Sequence, residues 1–100
     1  MNTPPLPQLD PLIHAPARLI IVSILNAVEE ADFRYLLHAT GLTKGNLSTH
    51  LRKLEEGGYV EIEKTFRGRV PMTLVRLTEE GRRALARYRR EMLDFLSSQQ

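Results

Sequence analysis

The sequence predicts a mainly α fold of the α+β class: three short helices, a two-stranded β-hairpin and a long last helix. Three observations lead there. Apolar residues keep a helical period from residue 17 to residue 54, change to alternation at Tyr59, and return to a helical period after Thr78. Each change coincides with residues that start or stop an element: Gly41 and Thr43, the Gly57-Gly58 pair, Gly68, and Thr78. One hundred residues suffice for one core and not for two.

The elements follow in chain order. Pro4, Pro5, Pro7 and Pro11 cannot sustain a helix, so residues 1–8 are read as a flexible arm. Leu9, Leu12 and Ile13 are apolar enough to dock on the rest of the chain. Pro16 fits a first helical turn, where its missing N–H costs nothing, and the helix it opens runs from Ala17 to about Glu30. Its apolar set of Leu19, Ile20, Ile21, Ile24, Leu25 and Val28 is wide, as in a helix buried on more than one side. Asp32-Phe33 breaks that pattern, and a second short helix with Leu36 and Leu37 facing inwards extends to Thr40.

Gly41 then ends one helix and Thr43 caps the next, its hydroxyl free to accept from a first-turn N–H. Projected at about 100° per residue, Leu47, Leu51 and Leu54 fall in one narrow stripe, with Gly45, Thr49, Arg52 and Glu56 almost opposite. Asn46, Ser48 and Lys53 flank that outer face, and His50 projects beside the leucines as a packed, hydrogen-bonded side chain. The residue types of the outer face are those that pair with base edges and phosphates. Gly45 removes bulk where a ligand backbone could approach, at about 1 kcal/mol of helix propensity.

After Gly58, Tyr59 to Phe66 alternates apolar and polar residues as a half-buried strand does. Arg67-Gly68-Arg69 forms a basic turn, and Met72 to Leu77 is the return strand after Pro71. Thr78 caps the last helix, with Glu79 and Glu80 favourably placed at its positive end. Its apolar line of Leu85, Tyr88, Met92, Phe95 and Leu96 continues to the end of the chain, further than closing a single domain requires. Two such helices packed about a two-fold axis would bury that line.

Helix, helix, helix, strand, basic tip, strand, helix is the order of a winged helix-turn-helix. The divisions are the arm over 1–8, a DNA-binding domain over 9–77 and a dimerisation helix over 78–100. Charge supports the reading. The net charge is only +2, yet residues 43–77 hold Lys44, Arg52, Lys53, Lys64, Arg67, Arg69 and Arg76 against Glu55, Glu56, Glu61 and Glu63. The expected DNA contacts are Thr43, Lys44, Gly45, Asn46, Ser48, Thr49, Arg52 and Lys53 from the helix over 43–56, and Arg67 and Arg69 from the wing over 66–71.

Leu9-Asp10-Pro11-Leu12-Ile13-His14, Asp32-Phe33, Gly41 to Val60, Lys64 to Thr73 and Leu77-Thr78-Glu79-Glu80-Gly81-Arg82 together carry a family resemblance. The chain resembles the winged-helix transcriptional regulators of the MarR and ArsR type, most closely a short subgroup described as winged-helix DNA-binding domain proteins. The resemblance implies a homodimeric regulator that places helix 43–56 in the major groove of double-stranded DNA and its wing on the backbone or in the minor groove. The chain has little spare length for the deep effector pocket of many MarR-type proteins. It also lacks the cysteines common in metal-sensing ArsR-type proteins. No small-molecule effector is supported, and no cofactor or metal is expected.

Other classes are weaker. Without cysteine there is no disulfide or zinc–thiolate site. His14, His38 and His50 lie in three separate segments without metal-ligand spacing, and no phosphate loop or nucleophile elbow is present, so an enzyme is not expected. No run of about 18 apolar residues or signal core occurs, which points to a cytoplasmic protein with no membrane partner. The alternative is a winged helix serving as a protein-interaction or RNA-binding module. Such domains often lose the basic residues of helix and wing that this chain keeps.

Overall fold

The computed structural model describes residues 7–98. All but Pro7 and Gln8 of the expected arm, and the last two residues of the dimerisation segment, lie outside the described residues. Seven elements follow one another: α1 (Pro16–Asn26), β1 (Ala31–Asp32), α2 (Phe33–Thr40), α3 (Lys44–Glu56), β2 (Val60–Arg67), β3 (Val70–Leu77) and α4 (Glu79–Ser97). The three strands form one antiparallel sheet in the order β1-β3-β2. Helices α1, α2 and α3 pack on it around Ile13, Ile21, Leu25, Leu36, Leu47, Leu54 and Val75, all fully buried.

The helix ends are held by the residues the sequence marks. Asp32 accepts from the Tyr35 N–H at 2.7 Å, Thr43 from Asn46 N–H at 3.1 Å and Thr78 from Gly81 N–H at 3.0 Å. Gly41 terminates α2 at φ +70°, a left-handed conformation open to glycine at little cost.

Three features differ from expectation. Helix α1 stops at Asn26 rather than near Glu30. Its end is capped from α4: the Arg82 guanidinium donates to the Asn26 carbonyl at 3.1 Å and the Asn26 side-chain oxygen at 3.0 Å. The chain released there supplies β1, a third strand not foreseen beside the hairpin, which pairs Ala31 with Val75 and Asp32 with Leu74. The return strand also begins earlier, at Val70, and takes Pro71 into the ladder. Arg67 pairs with Val70 across a two-residue turn, so Phe66 and Pro71 form the next, non-hydrogen-bonded pair. Pro71 would have aimed its N–H away from β2, beyond the reach of β1, and no ladder bond is lost.

The segment before α1 is tied down. Ile13 is fully buried, and the Tyr59 hydroxyl donates to the Asp10 carboxylate. His14 Nδ1 and the Tyr88 hydroxyl share a hydrogen bond of 2.9 Å. Arg18 donates to the Leu12 carbonyl at 2.6 Å and to His50 Nδ1 at 3.3 Å, linking this segment to α3.

Candidate nucleic-acid interface

Helix α3 is the centre of the site. Leu47, Leu51 and Leu54 anchor it, and their burial turns the opposite side outward. Thr43, Lys44, Gly45, Asn46, Ser48, Thr49, Arg52 and Lys53 are all exposed, as are Arg67 and Arg69. The projection orders them around the axis. Ser48 and Arg52 look towards the wing, Gly45 and Thr49 look straight out, and Asn46 and Lys53 occupy the far flank beside His50. Burial pushes the His50 imidazole below its usual pKa, with Arg18 and Lys53 adding to the effect. His50 is partly buried beside the leucines, within hydrogen-bond reach of Arg18.

The wing stands next to this helix. Eight residues in each strand give a hairpin of roughly 26 Å. Gly68 closes it at φ +63° while Arg69 stays at negative φ, the pattern of a type II′ turn. Alternation sorts the two faces. Val60, Ile62, Lys64 and Phe66 of β2 face the same way as Leu77, Val75, Thr73 and Pro71 of β3, towards α3. Between α3 and the wing lies an open cleft of about 510 Å³, lined by Ser48, Arg52, Glu55, Lys64 and Thr73 above Phe33, Leu51 and Ile62.

Lys64 was missing from the expected contacts. The period-two pattern was the signal that could have found it: a lysine two residues beyond partly buried Ile62 faces the helix rather than the opposite side. Arg34 was missed as well. It shares with Arg67 a second cleft of about 430 Å³ between the start of α2 and the wing tip.

On the other face of the hairpin, which carries Arg67 near its tip, Arg76 is held by three acids. Arg76 bonds Glu30 at 2.9 Å and Glu63 at 2.8 Å, with Glu61 at 3.9 Å. Lys44, Arg52, Lys53, Lys64, Arg67 and Arg69 form no ion pair among the described residues.

At the end away from the wing, α4 lies beside α1. Gly81, Ala84 and Tyr88 face the protomer core. Tyr88, expected at the dimer contact, is only 7% exposed in the protomer, and its hydroxyl is hydrogen-bonded to His14. Leu85 and Met92 are partly covered, Phe95 is half-buried, and Leu96 is 54% exposed. Leu93, absent from the expected set, is 52% exposed, and Ile20 of α1 is likewise open. A cleft of about 750 Å³ lies between the two helices, floored by Leu19, Leu85 and Met92.

This helix-turn-helix with its basic hairpin defines a winged-helix DNA-binding domain rather than an enzyme. The chain belongs to the winged helix DNA-binding domain family, whose sequence pattern matches residues 17–96. It is 40% identical over 83 residues to an uncharacterized protein of Methanocaldococcus jannaschii, covering 82% of this chain and 89% of that one. Among solved structures, a transcriptional regulator homologue protein from Pyrococcus horikoshii OT3 superposes with a TM-score of 0.83 at 30% identity, covering 87% of this chain and 86% of the other. A PadR family transcriptional regulator from Eggerthella lenta shares the fold at a TM-score of 0.66 and 21% identity, over 83% and 80% of the two chains. No group of three or more His, Cys, Asp or Glu among the described residues could hold a metal ion. No helix among them is long and apolar enough to cross a membrane.

Proposed function

We propose that the protein is a homodimeric, sequence-specific transcriptional regulator acting on double-stranded DNA in the cytoplasm. Helix α3 enters the major groove. Asn46, Ser48, Thr49 and Arg52 read base edges there, while Thr43, Lys44, Gly45 and Lys53 lie against the backbone. Arg67 and Arg69 follow the wing onto phosphates or into the minor groove. The observation that carries this reading is the set of six cations on α3 and the wing that form no ion pair among the described residues, while Arg76 on the hairpin is held by acids. Open Leu93, Leu96 and Ile20 support pairing of two copies through α4 and α1, with Leu85, Met92 and Phe95 at the margin of the contact.

Salt dependence of binding to random duplex tests the proposal. Affinity is expected to fall steeply with salt, and Arg67→Ala and Arg69→Ala each to lower the log–log slope by about 1. Asn46→Ala and Thr49→Ala are expected to cost about 1–3 kcal/mol on a selected site and little on random DNA. No binding to any duplex at low salt would refute the reading.

A further inference from the structure

Phe66 is the most exposed large apolar side chain among the described residues, at 67%. It is not scattered at random. It pairs directly with Pro71, and a non-hydrogen-bonded pair brings the two side chains to the closest approach an antiparallel ladder offers. Both stand on the wing face turned towards α3, one step beyond Lys64 and Thr73 and two beyond the pair of partly buried Ile62 and buried Val75. Moving outward along that face, the order is apolar core, polar and cationic cleft, then an apolar pair, then the Gly68-Arg69 tip. Nothing in the protomer covers Phe66, and its place in the strand requires no aromatic ring.

Charge decides what does cover it. Lys64 precedes Phe66 on the same face, and Arg67 and Arg69 follow it at the tip, none with an acidic partner among the described residues. An apolar ring inside a collar of free cations fits a polyanion with apolar stacked interior, and double-stranded DNA has that chemistry. We propose that Phe66, backed by Pro71, is an apolar wedge that enters the minor groove, partly unstacks one base step and bends the duplex towards the major groove. Pro71 stiffens the strand opposite Phe66, because its ring fixes its own φ. The proposal rests on the DNA reading above and adds a deformation to it. Specificity would then include the ease of kinking at positions α3 never touches, with flexible pyrimidine–purine steps favoured.

The test uses the full chain and an A·T-rich duplex of about 30 base pairs with central TA steps, labelled at both ends for energy transfer. The unmodified protein should shorten the end-to-end distance on binding. Phe66→Ala should leave the thermal midpoint unchanged, since the side chain is exposed. It should abolish the shortening and weaken binding about tenfold, in the range of a lost base–aromatic contact. Its salt slope should equal that of the unmodified protein, because no phosphate contact is removed. Phe66→Leu keeps an apolar wedge and should retain most of the bend. Binding by the unmodified protein without shortening would overturn the wedge and leave the DNA reading intact. Equal bending and affinity in Phe66→Ala would overturn it as well. Failure of the unmodified protein to bind any duplex would overturn both readings.

Discussion

Gly45 separates a requirement of the fold from a requirement of the ligand. It is the second residue of α3, its φ is not positive, and a methyl group built at its Cα meets nothing within 4 Å. The fold therefore has no use for a glycine there, and the helix is weaker for it. Replacing Gly45 with alanine should stabilise the protein by about 0.5–1 kcal/mol, the usual difference between the two residues inside a helix. For a domain of this size that is a rise of roughly 2–8 °C in thermal midpoint. The comparison needs equal protein concentrations, because a dimer's apparent stability depends on them.

DNA binding should move the other way. If the first turn of α3 lies against the sugar–phosphate backbone, the added methyl occupies the space of the approaching strand. Overpacking of a close contact costs about 1–3 kcal/mol, or roughly 5- to 150-fold in affinity. Differential scanning fluorimetry and fluorescence anisotropy on one labelled duplex read the two quantities. A raised midpoint with unchanged affinity would show that DNA does not approach Gly45, and would move the contact surface towards the wing. A lowered midpoint would refute the argument from open space.

Gly81→Ala provides the contrast: a methyl there would collide with the Tyr59 carbonyl and lie 2.8 Å from Leu77 Cδ1. It should destabilise by about 1–3 kcal/mol despite better helix propensity, measured as a lower urea midpoint. Leu93→Glu and Phe95→Glu should each shift sedimentation from dimer to monomer while leaving the far-ultraviolet circular dichroism intact; an unchanged mass for both would place the dimer contact elsewhere. His50 has a folded pKa below its unfolded value of 6.5, so the unfolded chain binds the extra proton first on acidification. Its contribution is fully present above pH 6.5 and is lost as pH falls from there towards the folded pKa. His50→Gln should flatten that part of the stability profile, and an unchanged slope would remove His50 as its source.

Local signals account for what was legible in the sequence. The caps at Thr43 and Thr78, the left-handed Gly41 and the leucine stripe of α3 each depend on residues within a turn or two of one another. Strand β1 has no such signal. Two residues cannot show a period, and its partners Leu74 and Val75 lie more than forty positions away. The end of α1 was hidden for the same reason, since the arginine that caps it comes from α4. Tyr88 followed the helical period of α4 correctly, but periodicity alone does not tell a stripe facing the protomer core from one facing a second copy. That distinction needed His14, at the other end of the chain. The candidate contacts on α3 were readable because a helix with one anchored stripe has only one side left to expose.

Spatial placement also changes what the charge count means. Along the chain, Arg76 belongs to the basic segment and Glu61 and Glu63 dilute it. In the fold all three leave the account together, because they meet one another and Glu30 on the hairpin face turned away from α3. What remains on α3 and the wing is Lys44, Arg52, Lys53, Lys64, Arg67 and Arg69 against Glu55 and Glu56, which sit in the last turn of α3 beyond Asn46, Ser48 and Thr49, with Glu55 beside Arg52 in the cleft. The hairpin thus keeps a net acidic cluster behind the wing and leaves a cationic excess at α3 and the wing tip. Such an asymmetric field orients the molecule before contact, turning the α3 side towards a polyanion while the encounter is still diffusional. In the proposed arrangement the Arg76 network touches no DNA, so its expected effect falls on association alone. Arg76→Ala would free three carboxylates behind the wing, weaken steering at low salt and slow association, with dissociation from bound DNA almost unchanged.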